Sequence, residues 1–336
     1  MRDVVLCNLV HRMNNTNSAS HPLIYIALQS FGKLESLPLR TLEEAGFEVR
    51  LNRLGRRLVQ EEMADLLRDA HGVIAGVEPY RADLLAQLSN LRCISRCGVG
   101  LDSVDLEAAK SHNIAVLSTP DEVVQPAAEL TLSFILALAR NLGLHQENFH
   151  RGIWEKQTGY LLSEWTIGLI GYGRIAQAVR RLLVPFGPRV LASDPRLPEG
   201  EMLDDTRICG LPELLEASDL VSLHAARSPK EGAILSRREL LSMKPGSRLV
   251  NIARGHLVEE EALVEALQSG HLSAAALDVF EVEPYTGPLA QMPQVLLTPH
   301  VATLSRSSRV QMELRAAQNI IHFFQLATAA FKQAAS

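Results

Sequence analysis

The feature that most constrains this chain is a glycine-rich turn that joins a short apolar run to an amphipathic helical run. The segment at 166–194 reads TIGLIGYGRIAQAVRRLLVPFGPRVLASD. Its opening apolar residues have the length and character of a buried strand. Gly171 and Gly173 follow, and Ala176 occupies the place of a third small residue. This order predicts a strand, a tight turn and a helix that packs back on the strand.

The spacing of these residues is typical of a turn that binds a dinucleotide. Arg174 and Ile175 begin the helix, where backbone N–H groups and the helix dipole favour a diphosphate. Asp194 ends the next apolar run, where a βαβ unit places the acid that accepts bonds from ribose hydroxyls. A carboxylate there repels a 2′-phosphate, so the sequence predicts NAD rather than NADP. Arg196 follows closely and either softens this preference or is a solvated loop cation, and we favour the solvated cation.

Composition predicts a two-domain globular protein and argues against several classes of partner. The chain has 336 residues, of which 47% are hydrophobic and 21% charged, and 336 residues suit two domains. A net charge of −5 without a basic run argues against a nucleic-acid partner, and no apolar run reaches the length of a membrane span.

The N-terminal run at 3–10 predicts a first strand rather than a signal peptide. The spacing of Cys7, Cys93, Cys97 and Cys209 predicts neither a metal site nor disulfides, so we expect reduced thiols in the cytoplasm.

Strand and helix patterns alternate on both sides of the glycine-rich turn. Such alternation predicts parallel sheets covered by helices, and here it indicates two α/β units. The apolar runs lie at 47–51, 72–76, 92–96 and 114–117 before the turn and at 219–224, 247–252, 274–279 and 295–297 after it.

Three side chains of complementary chemistry follow the later runs. Arg254, Glu283 and His300 each come just past the end of a predicted strand. Because the carboxyl ends of parallel strands meet at one edge of a sheet, we expect the three to lie together beside the nucleotide. Each alone has an ordinary explanation, as an exposed ion pair, a loop acid before Pro284 or a turn imidazole. Their coincidence favours hydride transfer to a 2-oxo acid.

Each of these residues suits one part of that reaction. His300 can exchange a proton near neutral pH, and Glu283 can orient its imidazole and favour the charged form. Arg254 presents a two-pronged guanidinium to the substrate carboxylate. In the glycine-rich turn CGVGLD after the run at 92–96, the amides of Val99 and Gly100 can meet the same carboxylate, although a plain strand-to-helix turn explains this pattern equally well.

A long apolar helix is predicted over about 127–141. Its apolar side chains cover most of the circumference, so it must be buried on every side. Either the interior of a domain or an interface with a second copy satisfies this requirement. We favour the interface, which predicts a homodimer.

Several segments together resemble the D-isomer-specific 2-hydroxyacid dehydrogenases, from about Leu39 to Phe324, and most closely the phosphoglycerate dehydrogenase-like members. These segments are SRCGVGLDSVDLEAA, AAELTLSFILALARN, TIGLIGYGRIAQAV, LVNIARGHLVEEEAL, AAALDVFEVEP and LLTPHVATLS.

The resemblance implies two Rossmann-like, doubly wound parallel-sheet domains with a cleft between them. It assigns residues 1–116 with 302–336 to the substrate domain and 117–301 to the NAD-binding domain, and it implies that two chains pair through the long helix. Arg254, Glu283 and His300 correspond to the family's catalytic residues. Its cofactor contacts correspond to Val99, the backbone of Arg174 and Ile175, Asp194, Ala225, Ile252, Ala253 and Asp278, of which Asp278 meets the nicotinamide carboxamide.

The resemblance predicts D-3-phosphoglycerate as substrate, with hydroxypyruvate, glyoxylate or another small 2-oxo acid as the alternative. Glu78 would repel a phosphate unless Arg56 and Arg57 compensated, and an exposed surface role suits those arginines better. No regulatory domain follows Ser336, so feedback by serine is not expected. A rival from another class is a non-catalytic nucleotide-sensing interaction protein of the same fold. Formate oxidation is disfavoured because Glu283 stands where formate enzymes carry an amide.

Overall fold

A computed structural model describes residues 21–334, which divide into two compact α/β units. Unit 1 contains the described residues up to Val123 and those from Leu304, and unit 2 contains Val124–Thr303. Both divisions fall later in the chain than the predicted boundaries at 116/117 and 301/302. The strand predicted at 3–10 lies outside the described residues. The predicted fold class, parallel sheets in two Rossmann-like units, is confirmed.

The strands are β1 Leu23–Ile26, β2 Glu48–Leu51, β3 Gly72–Ala75, β4 Cys93–Arg96, β5 Ala115–Ser118, β6 Thr166–Ile170, β7 Arg189–Ser193, β8 Met202–Leu203, β9 Thr206–Ile208, β10 Leu220–Leu223, β11 Ser247–Asn251, β12 Leu272–Leu277 and β13 Val295–Leu297. The α-helices are α1 Leu37–Glu44, α2 Gln60–Leu66, α3 Ala82–Gln87, α4 Leu106–Ser111, α5 Val124–Ala139, α6 Leu142–His150, α7 Arg174–Leu183, α8 Leu211–Ala217, α9 Arg237–Ser242, α10 Glu260–Gln268 and α11 Arg306–Ala334. Short 3₁₀ turns lie at Leu162–Glu164, Val184–Phe186, Pro229–Glu231, Gly255–Leu257 and Pro288–Gln291.

Unit 1 is built on a parallel sheet in the order β2-β1-β3-β4-β5. Its central strands are apolar and buried because helices cover both faces of such a sheet. One of these helices is α11, whose Met312, Ala316 and Ile320 are buried in the core of unit 1. A Cβ on Gly72 would lie 2.9 Å from Ile24 Cδ1 and 3.2 Å from Ile320 Cδ1, so glycine at this position allows α11 to approach the sheet closely.

Unit 2 is built on a longer sheet in the order β13-β12-β11-β10-β6-β7-β9-β8, and of these described strands only β8 runs antiparallel to its neighbour. Helices α5 and α7 pack on one face, where their apolar residues join one core. Helices α8, α9 and α10 pack on the other face and form a second core. The sheet is therefore doubly wound, and all loops that follow β6, β7 and β10 to β13 emerge at one edge.

Helix α5 is the long apolar helix predicted from the sequence, and the described structure accounts for most of its apolar surface. Its buried side chains include Phe134, Ile135 and Leu138, which lie in the core of unit 2. Gln125 and Glu129 are exposed. Packing inside unit 2 thus explains the apolar pattern without a second copy.

Among the described residues, no single helix has the length and apolarity needed to cross a membrane. Helices α5 and α6 meet that test only as a pair, across a bend of 64°. Half of the residues of α5 are buried inside unit 2, which is the ordinary behaviour of a core helix.

Candidate active site

The carboxyl edge of the unit 2 sheet carries the residues that the sequence singled out. In sheet order, His300 follows β13, Glu283 follows β12 and Arg254 follows β11. Ala225 follows β10, the glycine-rich turn follows β6 and Asp194 follows β7. Because these strands are parallel neighbours, their loops form one continuous rim. The candidate acid, base and cation therefore come from adjacent positions on that rim.

Glu283 and His300 are in direct contact. The Nδ1 atom of His300 lies 3.1 Å and 3.0 Å from the two carboxylate oxygens of Glu283. Both side chains are partly exposed, at 47% for His300 and 38% for Glu283. A carboxylate on Nδ1 favours a proton at that nitrogen, which leaves Nε2 as the atom that exchanges protons. The pair has the geometry of an oriented acid–base imidazole.

The backbone of His300 is held in an unusual conformation. Its φ is +55°, in the left-handed region that residues other than glycine seldom adopt. Buried Asp278 accepts the N–H groups of Val301 and Ala302 at 2.7 Å and 2.9 Å and the hydroxyl of Thr298 at 2.5 Å. These bonds fix the loop on both sides of His300. The family resemblance implies a nicotinamide contact for Asp278 but does not indicate that Asp278 holds this loop.

Arg254 lies in a loop that buried Asn251 braces from both sides. The Asn251 side chain accepts the N–H of Ala253 at 3.0 Å and donates to the carbonyl of Arg254 at 2.9 Å. Sequence reasoning missed Asn251, although an asparagine at the end of an apolar strand is itself a signal of such a brace.

The loop that carries Arg254 lies against the loop that carries Glu283. A Cβ on Gly255 would lie 2.0 Å from the carbonyl carbon of Phe280 and 2.2 Å from the amide of Glu281. Such contacts exclude any side chain, so glycine at 255 is required for the two backbones to touch. The Phe280 amide also donates to Glu283 Oε1 at 3.2 Å. Arg254 and Glu283 are thereby carried by loops in van der Waals contact.

The glycine-rich turn has the form that a pyrophosphate requires. Gly171 has a φ of +83°, and a Cβ there would lie 2.8 Å from the Ala225 backbone, so the turns after β6 and β10 are in contact. A Cβ on Gly173 would meet no atom within 4 Å, so space is open beside it. Helix α7 begins directly afterwards, with Arg174 and Ile175 in its first turn. Open space in front of a helix N-terminus fits an anionic diphosphate.

His224 lies beside this turn as a neutral imidazole. Burial lowers the pKa of His224 to about 3. Its Nε2 is hydrogen-bonded to Ser222 Oγ at 2.9 Å, while its buried Nδ1 meets no hydrogen-bond partner in the described part of the chain. A histidine in this state adds no positive charge to the glycine-rich turn.

Asp194 and Arg196 form a closed ion pair at the end of β7. Asp194 Oδ1 accepts the amide and Nε of Arg196 at 3.0 Å and 2.9 Å, and Oδ2 accepts Arg196 Nη2 at 2.7 Å and the Tyr172 amide at 2.9 Å. The Arg196 side-chain bonds, followed by the two backbone bonds, lower the pKa of Asp194 against the effect of burial. Arg196 is solvent-exposed, as expected of a loop cation, and it is also paired with Asp194, which the sequence did not indicate.

The turn that contains Val99 and Gly100 lies in unit 1. It follows β4, and Val99 is 43% exposed. Thr119 holds the turn from the end of β5, since its hydroxyl accepts the Gly98 amide at 2.7 Å and its own amide donates to the Gly98 carbonyl at 3.0 Å. The turn is thus fixed at the carboxyl edge of the unit 1 sheet.

The charged residues considered for phosphate recognition are already engaged within unit 1. Arg56 donates to both oxygens of Glu62, at 2.7 Å and 2.8 Å, and Arg57 donates to the Val77 carbonyl. Glu78 is 4% exposed, and its Oε2 accepts the Gly76 amide at 2.7 Å.

Comparisons with known proteins agree with this arrangement. The family model described as "D-isomer specific 2-hydroxyacid dehydrogenase, NAD binding domain" matches residues 132–302. A D-3-phosphoglycerate dehydrogenase of Methanocaldococcus jannaschii is 36% identical over 269 residues, which cover 78% of this chain and 50% of that protein. A hydroxypyruvate reductase of Thermotoga maritima is 37% identical over 250 residues, which cover 72% of this chain and 81% of that protein. The chain therefore spans about half the length of the first relative and most of the second.

A solved structure has a similar fold. The crystal structure of the TT0316 protein from Thermus thermophilus matches with a TM-score of 0.81 and 37% sequence identity, and the match covers 88% of this chain and 95% of that chain. The chain belongs to the D-isomer-specific 2-hydroxyacid dehydrogenase family, whose members are NAD-dependent oxidoreductases that act on the CH–OH group of 2-hydroxy acids.

Proposed function

We propose that this protein interconverts a small 2-oxo acid and its D-2-hydroxy acid with NAD(H). The observation that carries the proposal is the contact between Glu283 and His300 on the rim that also bears the glycine-rich turn. Three residue types needed for hydride transfer, an imidazole, a carboxylate and a guanidinium, follow adjacent strands there.

The rim offers suitable chemistry for each part of NAD. When bound, NAD supplies the nicotinamide that accepts or donates the hydride. The open side of Gly173 and the N-terminus of α7 would hold the pyrophosphate, and Asp194 would face the adenosine ribose. Further contacts are proposed for Val99, Gly171, Arg174, Ile175, Ala225, Ile252, Ala253 and Asp278.

His300 is the proposed acid–base residue. In reduction its Nε2 gives a proton to the substrate carbonyl oxygen as that oxygen gains negative charge, and in oxidation it takes the proton back. Glu283 contacts Nδ1 and keeps the ring in one orientation. Asp278 acts through the loop backbone, because it fixes the left-handed turn that aims the ring.

Arg254 is the proposed anchor for the substrate carboxylate. Its guanidinium can donate two parallel hydrogen bonds to a carboxylate, which fixes the 2-oxo carbon as well as holding the charge. The amides of Val99 and Gly100 are proposed to bind the same carboxylate.

The loops of unit 1 favour a substrate without phosphate. The two arginines that would have to bind a phosphate are engaged, Arg56 by Glu62 and Arg57 by a carbonyl, and Glu78 adds a negative charge after β3. Of the predicted substrates, hydroxypyruvate and glyoxylate therefore fit better than D-3-phosphoglycerate. The T. maritima relative, most of whose length the chain spans, is itself named a hydroxypyruvate reductase.

A screen of NADH oxidation tests this function. Hydroxypyruvate, glyoxylate and phosphohydroxypyruvate are supplied in turn, and we expect kcat/KM for the best unphosphorylated acid to exceed that for the phosphorylated one by about tenfold or more, equivalent to about 1.4 kcal/mol. A preference for the phosphorylated acid would contradict the substrate assignment. NADH binding without turnover on any 2-oxo acid, together with a stable protein partner on pull-down, would instead indicate the nucleotide-sensing function.

Substitution of His300 distinguishes an effect on turnover from an effect on NADH binding. His300→Ala should lower kcat by about 10²–10⁴, since it removes general acid–base catalysis, while the Kd for NADH stays within about twofold of the original. Steady-state kinetics and NADH fluorescence titration measure the two effects. His112→Ala removes an exposed histidine from unit 1 and serves as the control. An equal loss of turnover and NADH affinity in His300→Ala would argue against the assigned role.

Substitution of Asp278 tests whether it positions the loop. Asp278→Asn turns one acceptor oxygen into an NH₂ group that faces amide donors, so the free energy of unfolding should fall by about 1–3 kcal/mol, and kcat should fall as well. Urea denaturation and the pH profile of kcat/KM measure these changes. Asp69→Asn, at an exposed carboxylate of unit 1, is the control. If Asp278→Asn has the same free energy of unfolding as the control variant, Asp278 does not hold the loop as proposed.

We also propose a homodimer, formed through α6 and the segment that follows it. Phe149 is 60% exposed and Trp154 80% exposed, and their rings contact each other edge to face at 5.5 Å. Other exposed apolar side chains nearby in sequence are Leu142, Ile153, Tyr160 and Leu161. A patch of this kind on a globular protein favours association, and a second copy is the partner that we propose.

Sedimentation equilibrium tests the homodimer. We expect the intact chain to sediment as a dimer, and we expect Trp154→Asp to raise the dimer dissociation constant by about 100-fold or more, because a charge would be buried in an apolar interface. Leu241→Asp places the same charge at an exposed leucine of α9 and should leave the dimer unchanged. A monomeric intact chain, or equal effects of the two substitutions, would contradict the proposal.

The cytoplasm is the proposed location. Cys93, Cys97 and Cys209 are buried free thiols, and burial raises the pKa of Cys97 to about 11, which keeps it protonated and unreactive. Cys7 lies outside the described residues. Cell fractionation followed by detection of this chain tests the placement.

A further inference from the structure

We propose that Arg196 enables this site to accept NADP(H) as well as NAD(H), because it masks the acid that would otherwise exclude a 2′-phosphate. The inference rests on the cofactor site proposed above. It changes the expectation drawn from Asp194 alone, which favours NAD over NADP.

The hydrogen-bonding capacity of Asp194 is filled within the protein. A carboxylate offers about four acceptor positions, and all four are used here. Three bonds come from Arg196 and one from the Tyr172 amide. The Asp194 side chain is only 2% exposed, whereas that of Arg196 is 75% exposed. The group that a cofactor meets first at this position is therefore the guanidinium and not the carboxylate.

Arg196 also changes the effect of the negative charge of Asp194 on a nucleotide. Asp194 discriminates against a 2′-phosphate by repulsion, and this repulsion is largely cancelled when a guanidinium lies directly on the carboxylate. The planar fork of arginine also matches the oxygens of a phosphate. An arginine near this acid is the usual means by which a Rossmann site accommodates the 2′-phosphate of NADP.

Not every hydrogen bond to Asp194 depends on the arginine side chain, since two come from the backbone amides of Tyr172 and Arg196. The guanidinium also bonds the carboxylate through only two of its nitrogens, Nε and Nη2. It can therefore stay beside the carboxylate and direct its other N–H groups toward a phosphate. For NAD the opposite holds, because the ribose hydroxyls must compete with Arg196 for the same acceptor positions.

The inference is tested by measuring the affinities for NADH and NADPH, which should change in opposite directions when Arg196 is replaced. Fluorescence titration of the intact chain should give Kd values for NADH and NADPH within about tenfold of each other, as expected when attraction and repulsion nearly cancel. Arg196→Ala should weaken NADPH binding by about tenfold or more, since a charge-assisted pair is lost. The same substitution should strengthen NADH binding by roughly threefold, because Asp194 is released for the ribose.

Two further variants sharpen the test. Arg196→Lys keeps the charge without the fork and should give an intermediate affinity for NADPH. Arg189→Ala removes an exposed arginine at the opposite end of β7 from Asp194 and should leave both affinities unchanged. Failure of the intact chain to bind NADPH, or an Arg196→Ala variant in which both affinities stay constant or move in the same direction, would overturn the inference. These titrations need no turnover, so they decide the role of Arg196 even if no 2-oxo acid proves to be a substrate.

Discussion

The candidate site depends on the hydrogen bonds between Asp278 and the loop after β13. A buried carboxylate accepts two consecutive backbone amides and a hydroxyl, and the residue just before those amides is His300 in a left-handed conformation. Such a conformation is unfavourable for a side chain with a Cβ and persists only when surrounding bonds determine it. The position of the imidazole on Glu283 follows from this constraint, and so does its capacity to act as an oriented acid and base.

Close contacts between backbones also hold the loops of the candidate site in place. Gly255 allows the loop bearing Arg254 to touch the loop bearing Glu283, and Gly171 allows the nucleotide turn to touch the loop after β10. The parallel sheet supplies the order of the loops, and the glycines supply their contact. A rim assembled in this way can vary its side chains and its substrate while the geometry of the reaction stays fixed, which suits a family whose members carry the names of different substrates.

Charge pairing modifies what individual residues suggest. Asp194 alone indicates exclusion of a 2′-phosphate, but a guanidinium that covers it changes the electrostatic environment of the ribose position. In unit 1, Arg56 looks available to a phosphate, but both carboxylate oxygens of Glu62 accept hydrogen bonds from it. In both places the net charge seen by a ligand is set by pairs of residues, since opposite charges in contact largely cancel at a distance.

The sequence by itself determined the alternation of strands and helices, the glycine-rich turn with Asp194 at its offset, and the placement of Arg254, Glu283 and His300 after strands. These are local patterns, and parallel strands convert them directly into a shared edge. It missed the short strand β1, the bracing by Asn251 and the ion pair between Arg196 and Asp194. It also did not show that half of the residues of α5 are buried inside unit 2. Only the tertiary structure decided these points, because side-chain rotamers and packing partners select among the contacts that a linear pattern allows.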